Sequence, residues 1–171
     1  MSRNIEIKAR IENIEDLENK VVAIADEGPT EIIQDDTFFK CGNGRLKLRT
    51  LSKAKGELIF YKRADGSGPK ESFYLKSETP EPSILRESLT LAYGSAGRVQ
   101  KRRLLYFKGR TRIHVDRVKG LGNFLELEVV LDDDETNERG IEEARLLLSQ
   151  LGVEDSQLVE TAYVDLLRRA D

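Results

Sequence analysis

Acidic and basic side chains recur at every second position in several short segments of this 171-residue chain. That spacing puts side chains on one face of a strand. Glu126-Leu127-Glu128 offers two carboxylates on one face, and Glu6, in Asn4-Ile5-Glu6-Ile7-Lys8, offers a third. Lys47, Arg49, Lys62 and Arg103 supply cations on other segments of the same kind. Carboxylates hold hard divalent cations, while lysine and arginine hold phosphate oxygens. Together they are the two halves of a site for a polyphosphate bridged by a metal. One histidine, His114, and one cysteine, Cys41, exclude a His-rich or Cys-based metal site. The expected metal is therefore a carboxylate-held Mg²⁺ or Mn²⁺.

The elements that must position these groups follow from hydrophobic periodicity. In 4–11, Ile5, Ile7, Ala9 and Ile11 oppose Asn4, Glu6, Lys8 and Arg10, which is the alternation of a half-buried strand. Strands are predicted in the same way over 44–51, 57–63, 99–108, 110–118 and 123–131, with weaker signals over 31–40 and 71–79. In 57–63, Leu58, Phe60 and Lys62 share one face and Glu57, Ile59, Tyr61 and Arg63 the other. Helical spacing is read over 14–25, 83–93 and 138–151, the last with Gly152 just past its end. Segment 156–167 mixes both signals. Turn residues cluster at 42–44, 65–69 and 120–122, and the Gly66-Ser67-Gly68 turn lacks the ending of a phosphate-cradling loop. The expected class is α+β, many antiparallel strands with a few helices between them, in a single domain over 1–171.

Charge decides little in total and much in arrangement. Lys and Arg number 28 and Asp and Glu 31, a net of −3 that predicts no strong partner. Yet 98–119 carries nine basic residues and one acid, and 126–143 carries nine acids and one basic residue, so the two signs are segregated. For any one strand, a charged face is simply a face turned to water. Helices, however, need an apolar surface to cover. If the sheet closes into a β-barrel with helices packed outside, the charged faces point into the lumen. A dry lumen of unpaired cations would be ruinous, whereas a wet one that binds a polyanion would not. No run approaches the ~18 apolar residues of a membrane helix, and no signal-peptide pattern opens the chain, so a cytoplasmic protein with no membrane partner is expected. The absence of Trp and an aromatic content of 6% speak against a stacking platform for nucleic acid.

In order along the chain, these segments resemble the CYTH superfamily of triphosphate tunnel metalloenzymes. That superfamily includes class IV adenylyl cyclases, thiamine triphosphatases and inorganic triphosphatases. The N-terminal E-x-E-x-K motif is matched at Glu6 and Lys8, with Asn4 in place of the first Glu. The late E-x-E is intact at Glu126 and Glu128. Leu46-Lys47-Leu48-Arg49 and Lys101-Arg102-Arg103 resemble the family's basic strands. Arg112-Ile113-His114-Val115-Asp116 and Ala162-Tyr163-Val164-Asp165-Leu166 are most similar to the class IV cyclase-like subgroup. The resemblance implies a closed antiparallel barrel, or tunnel, with a charged lumen and helices outside. It implies Glu6, Glu126, Glu128 and Asp116 as metal ligands, and Lys47, Arg49, Lys62, Lys101 and Arg103 as triphosphate ligands. Lys8 and Glu6 are the catalytic candidates, Lys8 either as a base toward water or as a phosphate ligand. Asn4 can still offer an amide oxygen to a cation, with one negative charge fewer.

Three functions fit that site. The first is metal-dependent hydrolysis of a triphosphate. The second is cyclisation of ATP to cyclic AMP and pyrophosphate. The third is binding of a polyphosphate or nucleotide without turnover. The expected partner is a small-molecule triphosphate or nucleotide, not a specific nucleic acid sequence, and a homodimer is left open.

Overall fold

A computed structural model describes residues 2–63 and 68–170, so residues 65–67 of the anticipated 65–69 turn lie outside the described residues. Among the described residues there are eight strands: β1 (Ser2–Ile11), β2 (Glu27–Phe39), β3 (Arg45–Ser52), β4 (Lys55–Arg63), β5 (Lys70–Thr79), β6 (Ser95–Lys108), β7 (Thr111–Val118) and β8 (Gly122–Leu131). They close into an antiparallel barrel in the order β1-β5-β4-β3-β2-β6-β7-β8. Four α-helices lie outside it: α1 (Ile14–Ile24), α2 (Pro82–Tyr93), α3 (Asn137–Gln150) and α4 (Tyr163–Ala170). The strand over 31–40 is longer than its periodicity predicts, because β2 begins at Glu27 and pairs with β6 across a register shift between Glu27 and Thr30. The ambiguous 156–167 segment resolves into a 3₁₀ turn at Asp155–Gln157 followed by the start of α4. No helix of the described residues is long and apolar enough to cross a membrane.

Helix ends follow local chemistry. Asn13 caps α1 by accepting a hydrogen bond from the Asp16 N–H at 3.0 Å. Pro82 opens α2 where its missing N–H costs nothing. Gly152, at φ +69°, follows α3 in the left-handed region that a Cβ would disfavour.

Closure sorts each strand into an outer and an inner face. On β1, β7 and β8 the outer face is Ile5, Ile7, Ala9, Ile11, Ile113, Val115, Leu125, Leu127, Val129 and Leu131. It packs against Ile14, Leu17 and Val21 of α1, Ala144, Leu147 and Leu148 of α3, and Leu151 just past the end of α3. Each such side chain stabilises the fold by roughly 1.5–3 kcal/mol relative to exposure. A second apolar cluster, Phe38, Val99, Val118, Phe124, Ala162, Tyr163 and Val164, closes one end of the barrel. The chain reaches that end by crossing it: Leu158 bridges Ala9, and the Val159 N–H donates to the Lys8 carbonyl at 2.9 Å.

Gly140 shows how tightly α3 seats. A Cβ at this position would stand 2.6 Å from Ile5 Cγ1 and 2.8 Å from Leu131 Cδ2. Gly140→Val therefore destabilises the protein by about 1–3 kcal/mol, the range for overpacked cores. The expected readout is a lower urea midpoint at unchanged denaturant slope. An unchanged midpoint would show that α3 can lift without cost.

Candidate functional site

The inner faces of all eight strands line one cavity of about 270 Å³, near the lower end of the ~300–1,000 Å³ usual for small-ligand sites. Eight basic and five acidic side chains line it, an excess of cations inside a chain of net charge −3. Glu6, Glu126 and Glu128 gather on β1 and β8, with Lys8, Arg63 and Arg112 beside them, while Lys47, Arg49, Lys101 and Arg103 stand on β3 and β6. β8 and β3 are four strands apart in the ring of eight, so the carboxylates of β8 face Lys47 and Arg49 of β3.

The acidic wall is set by register. Glu126 lies opposite His114 on one side and Lys8 on the other, and Glu128 lies between Arg112 and Glu6. One potential ligand atom each from His114, Glu126 and Glu128 falls within 4.8 Å of the others. Burial acts to raise the Glu126 pKa, but His114, Arg103 and Lys8 together hold it well below the usual carboxylate range. Burial pushes His114 down, Arg103 adds to that, and the neutral imidazole left has a lone pair for a cation. Glu6 is pushed up to about 7 by burial and then by the charges of Glu126 and Glu128, against Arg63, whose guanidinium is 3.5 Å away. The Asn4 Oδ1 is buried with no hydrogen-bond partner among the described residues. A neutral imidazole, three carboxylates that repel one another and an orphaned amide oxygen fit a hard divalent cation. His114, Glu126, Glu128 and Glu6 are the residues that would hold it.

Two buried arginines stiffen the basic side. Asp36 accepts from Arg49 Nε at 2.9 Å and Nη2 at 2.8 Å, and from Lys47 Nζ at 2.9 Å. Asp116 accepts from Arg103 Nε and Nη2, both at 2.7 Å, and from the Tyr163 hydroxyl at 2.9 Å. Such bidentate forks fix the guanidinium plane. Burial acts to raise both aspartates, and the neighbouring cations bring them below the usual range instead. Lys47 and Lys101 are lowered by burial first and then by the adjacent arginines.

Two of the expected residues stand apart from the others. Both carboxylate oxygens of Asp116 accept hydrogen bonds from Arg103 or Tyr163, and Asp116 is not in the cluster of His114, Glu126 and Glu128. Lys62 is exposed on the outer face, while its neighbour Arg63 lines the cavity. The pairing of Arg63 with the buried lumen residue Ser72, and of Lys62 with Phe73, sets that phase. The remaining expected residues, Glu6, Lys8, Lys47, Arg49, Lys101, Arg103, Glu126 and Glu128, all line the one cavity. Asp36, Arg63, Arg112 and Tyr163 join them unanticipated. The signal for Arg63 was its place on a face with Glu57; Tyr163 had only a family-like motif around it.

Tyr163 forms the floor. The Lys8 Nζ sits 4.0 Å from the centre of its ring, and the Lys101 Nζ 5.1 Å. Lys8 also donates to the Thr161 carbonyl at 3.4 Å and lies 3.9 Å from Glu126 Oε2. Burial nevertheless lowers the Lys8 pKa to about 8, outweighing the pull of Glu126. A fraction of Lys8 is thus neutral near pH 8 and able to accept a proton.

The acidic wall has a measurable signature. Glu6 keeps its proton up to about pH 7 in the metal-free protein, and a bound cation favours its carboxylate. Mg²⁺ or Mn²⁺ binding at pH 6.5 should therefore release protons, and the release should fade by pH 8.5, where Glu6 is already ionised. Calorimetric titrations in buffers of different ionisation enthalpy measure this. Glu6→Gln should abolish the release; an undiminished release in that variant would assign the proton elsewhere.

Comparison with known proteins agrees with this architecture. The chain is 25% identical over 167 residues to the adenylate cyclase CyaB of Aeromonas hydrophila, covering 93% of this chain and 85% of that one. The PH1012 protein of Pyrococcus horikoshii has the same fold, with TM-score 0.85 and 24% identity over 96% of this chain and 99% of that one. The Hippeastrum protein HpAC1, described as a candidate adenylyl cyclase with a dominant triphosphatase activity, superposes with TM-score 0.70 at 17% identity, covering 98% and 96%. The CYTH domain model matches residues 2–163, and the chain is a member of that family.

Proposed function

We propose that this protein hydrolyses a triphosphate inside the barrel with the help of a divalent cation. The observation that carries the reading is the pair of facing walls in one cavity. Two carboxylates and an imidazole cluster on β8 and β7, with Glu6 of β1 opposite Glu128, and arginines pinned by aspartates stand with lysines on β3 and β6. Together the acids suit a cation and the basic groups a polyanion, which is the combination that a metal-bound triphosphate brings.

The chain's own residues would divide the work as follows. Arg49 and Arg103, held flat by Asp36 and Asp116, offer their free N–H edges to phosphate oxygens without having to reorganise. Lys47, Lys101 and Arg63 add point charges along the same path. A cation held by Glu126, Glu128, His114 and Glu6 would neutralise developing charge on the transferred phosphoryl group. Neutral Lys8, on the floor beside Glu126, takes a proton from the attacking water as the water oxygen bonds to the terminal phosphorus. The bond from that phosphorus to the bridging oxygen breaks, and diphosphate, or its ester, leaves. Burial keeps Lys8 from being a permanent ammonium, although Glu126 and the Tyr163 ring face favour the charged form. The setting is the cytoplasm, in keeping with an exposed free thiol at Cys41.

A cyclase reading rests on one observation, the relation to an adenylate cyclase over nearly the whole chain. It needs the same cations but sends the ribose hydroxyl to the α-phosphorus. Incubation with ATP and Mn²⁺, with separation of phosphate, diphosphate and cyclic AMP, decides between them. Phosphate should dominate, and Lys8→Met and Glu126→Gln should each cut turnover by about 10²-fold or more. Cyclic AMP as the main product would overturn hydrolysis, and full activity of Lys8→Met would remove Lys8 as the base.

A further inference from the structure

The two buried arginine forks are completed by different third partners. On Asp36 the third donor is Lys47, a cation that lines the lumen beside Arg49. On Asp116 it is the Tyr163 hydroxyl, a neutral group from the first residue of α4. A lysine on its flexible stem can leave a carboxylate for an entering phosphate. Tyr163 cannot do so. Its ring meets Phe124 edge to face with centroids 4.8 Å apart, inside the apolar cluster that closes this end of the barrel. The helix behind it is held by the ion pair of Asp165 with Arg45. It is also held by Val164 against Gly97, where a Cβ would stand 2.5 Å from Val164 Cγ2.

Arg103 needs such a hold. Its Nη2 lies between two carboxylates, 2.7 Å from Asp116 Oδ2 and 3.6 Å from Glu126 Oε1. Pairing with Glu126 instead would take an anion from the cluster of His114, Glu126 and Glu128 and re-aim the guanidinium at the acidic wall. Asp116 keeps Arg103 only while both its oxygens face the fork, Oδ1 toward Nε and Oδ2 toward Nη2. The last torsion of an aspartate is broad, so the side chain alone does not fix that orientation. A hydroxyl donated to Oδ2 from an anchored ring does fix it. Being neutral, it adds no second buried charge to compete with Arg103.

Resting on the triphosphatase reading, we propose that the Tyr163 hydroxyl is a positioning group of the reaction, acting through Asp116 to set the plane in which Arg103 meets the phosphates. Arg103 is then the rigid member of the clamp. Arg49, whose aspartate is shared with a lysine, is the adaptable one. Preorganised donors count most where charge develops in the transition state. The hydroxyl is therefore felt in turnover and not in substrate affinity.

Steady-state phosphate release from ATP and from tripolyphosphate with Mn²⁺ tests this in a double-mutant cycle. Tyr163→Phe keeps the ring against Phe124, Lys8 and Lys101 and removes only the hydroxyl. It should lower kcat about tenfold and leave KM within about twofold, the pattern of an interaction made in the transition state. Arg103→Lys keeps the charge and loses the fork. In that background Tyr163→Phe should change kcat by less than about twofold. Wild-type turnover in Tyr163→Phe, a rise in KM at constant kcat, or the same tenfold loss on top of Arg103→Lys would each overturn the inference and leave hydrolysis standing. A wild-type protein that releases phosphate from neither compound would overturn the triphosphatase reading and this inference with it.

Discussion

Closing the sheet is the constraint on which everything else depends. Once eight strands form a ring, every second side chain must point inward, and a charged lumen must be reconciled with burial. The two bidentate pairs, Arg49 with Asp36 and Arg103 with Asp116, meet that cost directly. A buried ion pair is a poor source of stability but a good source of geometry. Here it keeps a guanidinium ionised, planar and aimed, with part of its donor edge left for a ligand. The lysines are treated differently. Lys47 shares Asp36, while Lys8 and Lys101 rest on the Tyr163 ring, and all three are lowered by burial. The arginines are fixed charges, and the lysines are the cations whose charge burial makes costly.

The acidic wall meets burial the other way, by holding protons. Three carboxylates converge, and they cannot all ionise cheaply without a cation among them. Glu126 is secured by His114, Arg103 and Lys8, Glu128 by His114 and Arg112. The tension therefore collects on Glu6, which has burial and two neighbouring carboxylates against it and only Arg63 and the Ser72 hydroxyl in support. Asn4, two residues away on the same inner face, adds no charge to the conflict. A carboxylate there would have been a fourth acid beside a group that already keeps its proton to about pH 7. The amide instead leaves an uncharged oxygen.

Alternation was legible wherever one face was purely apolar. β1, β7 and β8 have mainly aliphatic outer faces, and their inner residues, Glu6, Lys8, His114, Glu126 and Glu128, could be named from spacing alone. Where both phases mix apolar and charged residues, the face is set by partners that sequence does not display. In β4, Lys62 shares a face with Leu58 and Phe60. The logic that turns apolar faces outward already puts Lys62 outside and Arg63 within, although the basic motif argued for Lys62. In β2, Asp35 and Asp36 are adjacent and equivalent on paper. Asp35 pairs outside with Arg98 and Asp36 inside with Arg49, a difference that exists only through the registers with β6 and β3. Tyr163 was harder still. Its role depends on a chain crossing that brings residue 163 beneath residue 8, and no local pattern encodes such a contact.

The same contrast explains why the phosphate and metal walls were easier to anticipate than the wall between them. Charged groups announce chemistry by type, so their clustering on strands is informative before any fold is known. Ile32, Leu51 and Leu105 carry no such mark. An aliphatic residue in a strand reads as core, and on most strands here it is core. Here Ile32, Leu51 and Leu105 instead lie on the inner faces of β2, β3 and β6 and line the cavity. An aliphatic residue of this lumen can thus be told from core only through strand register, whereas a charged one is marked by its type alone.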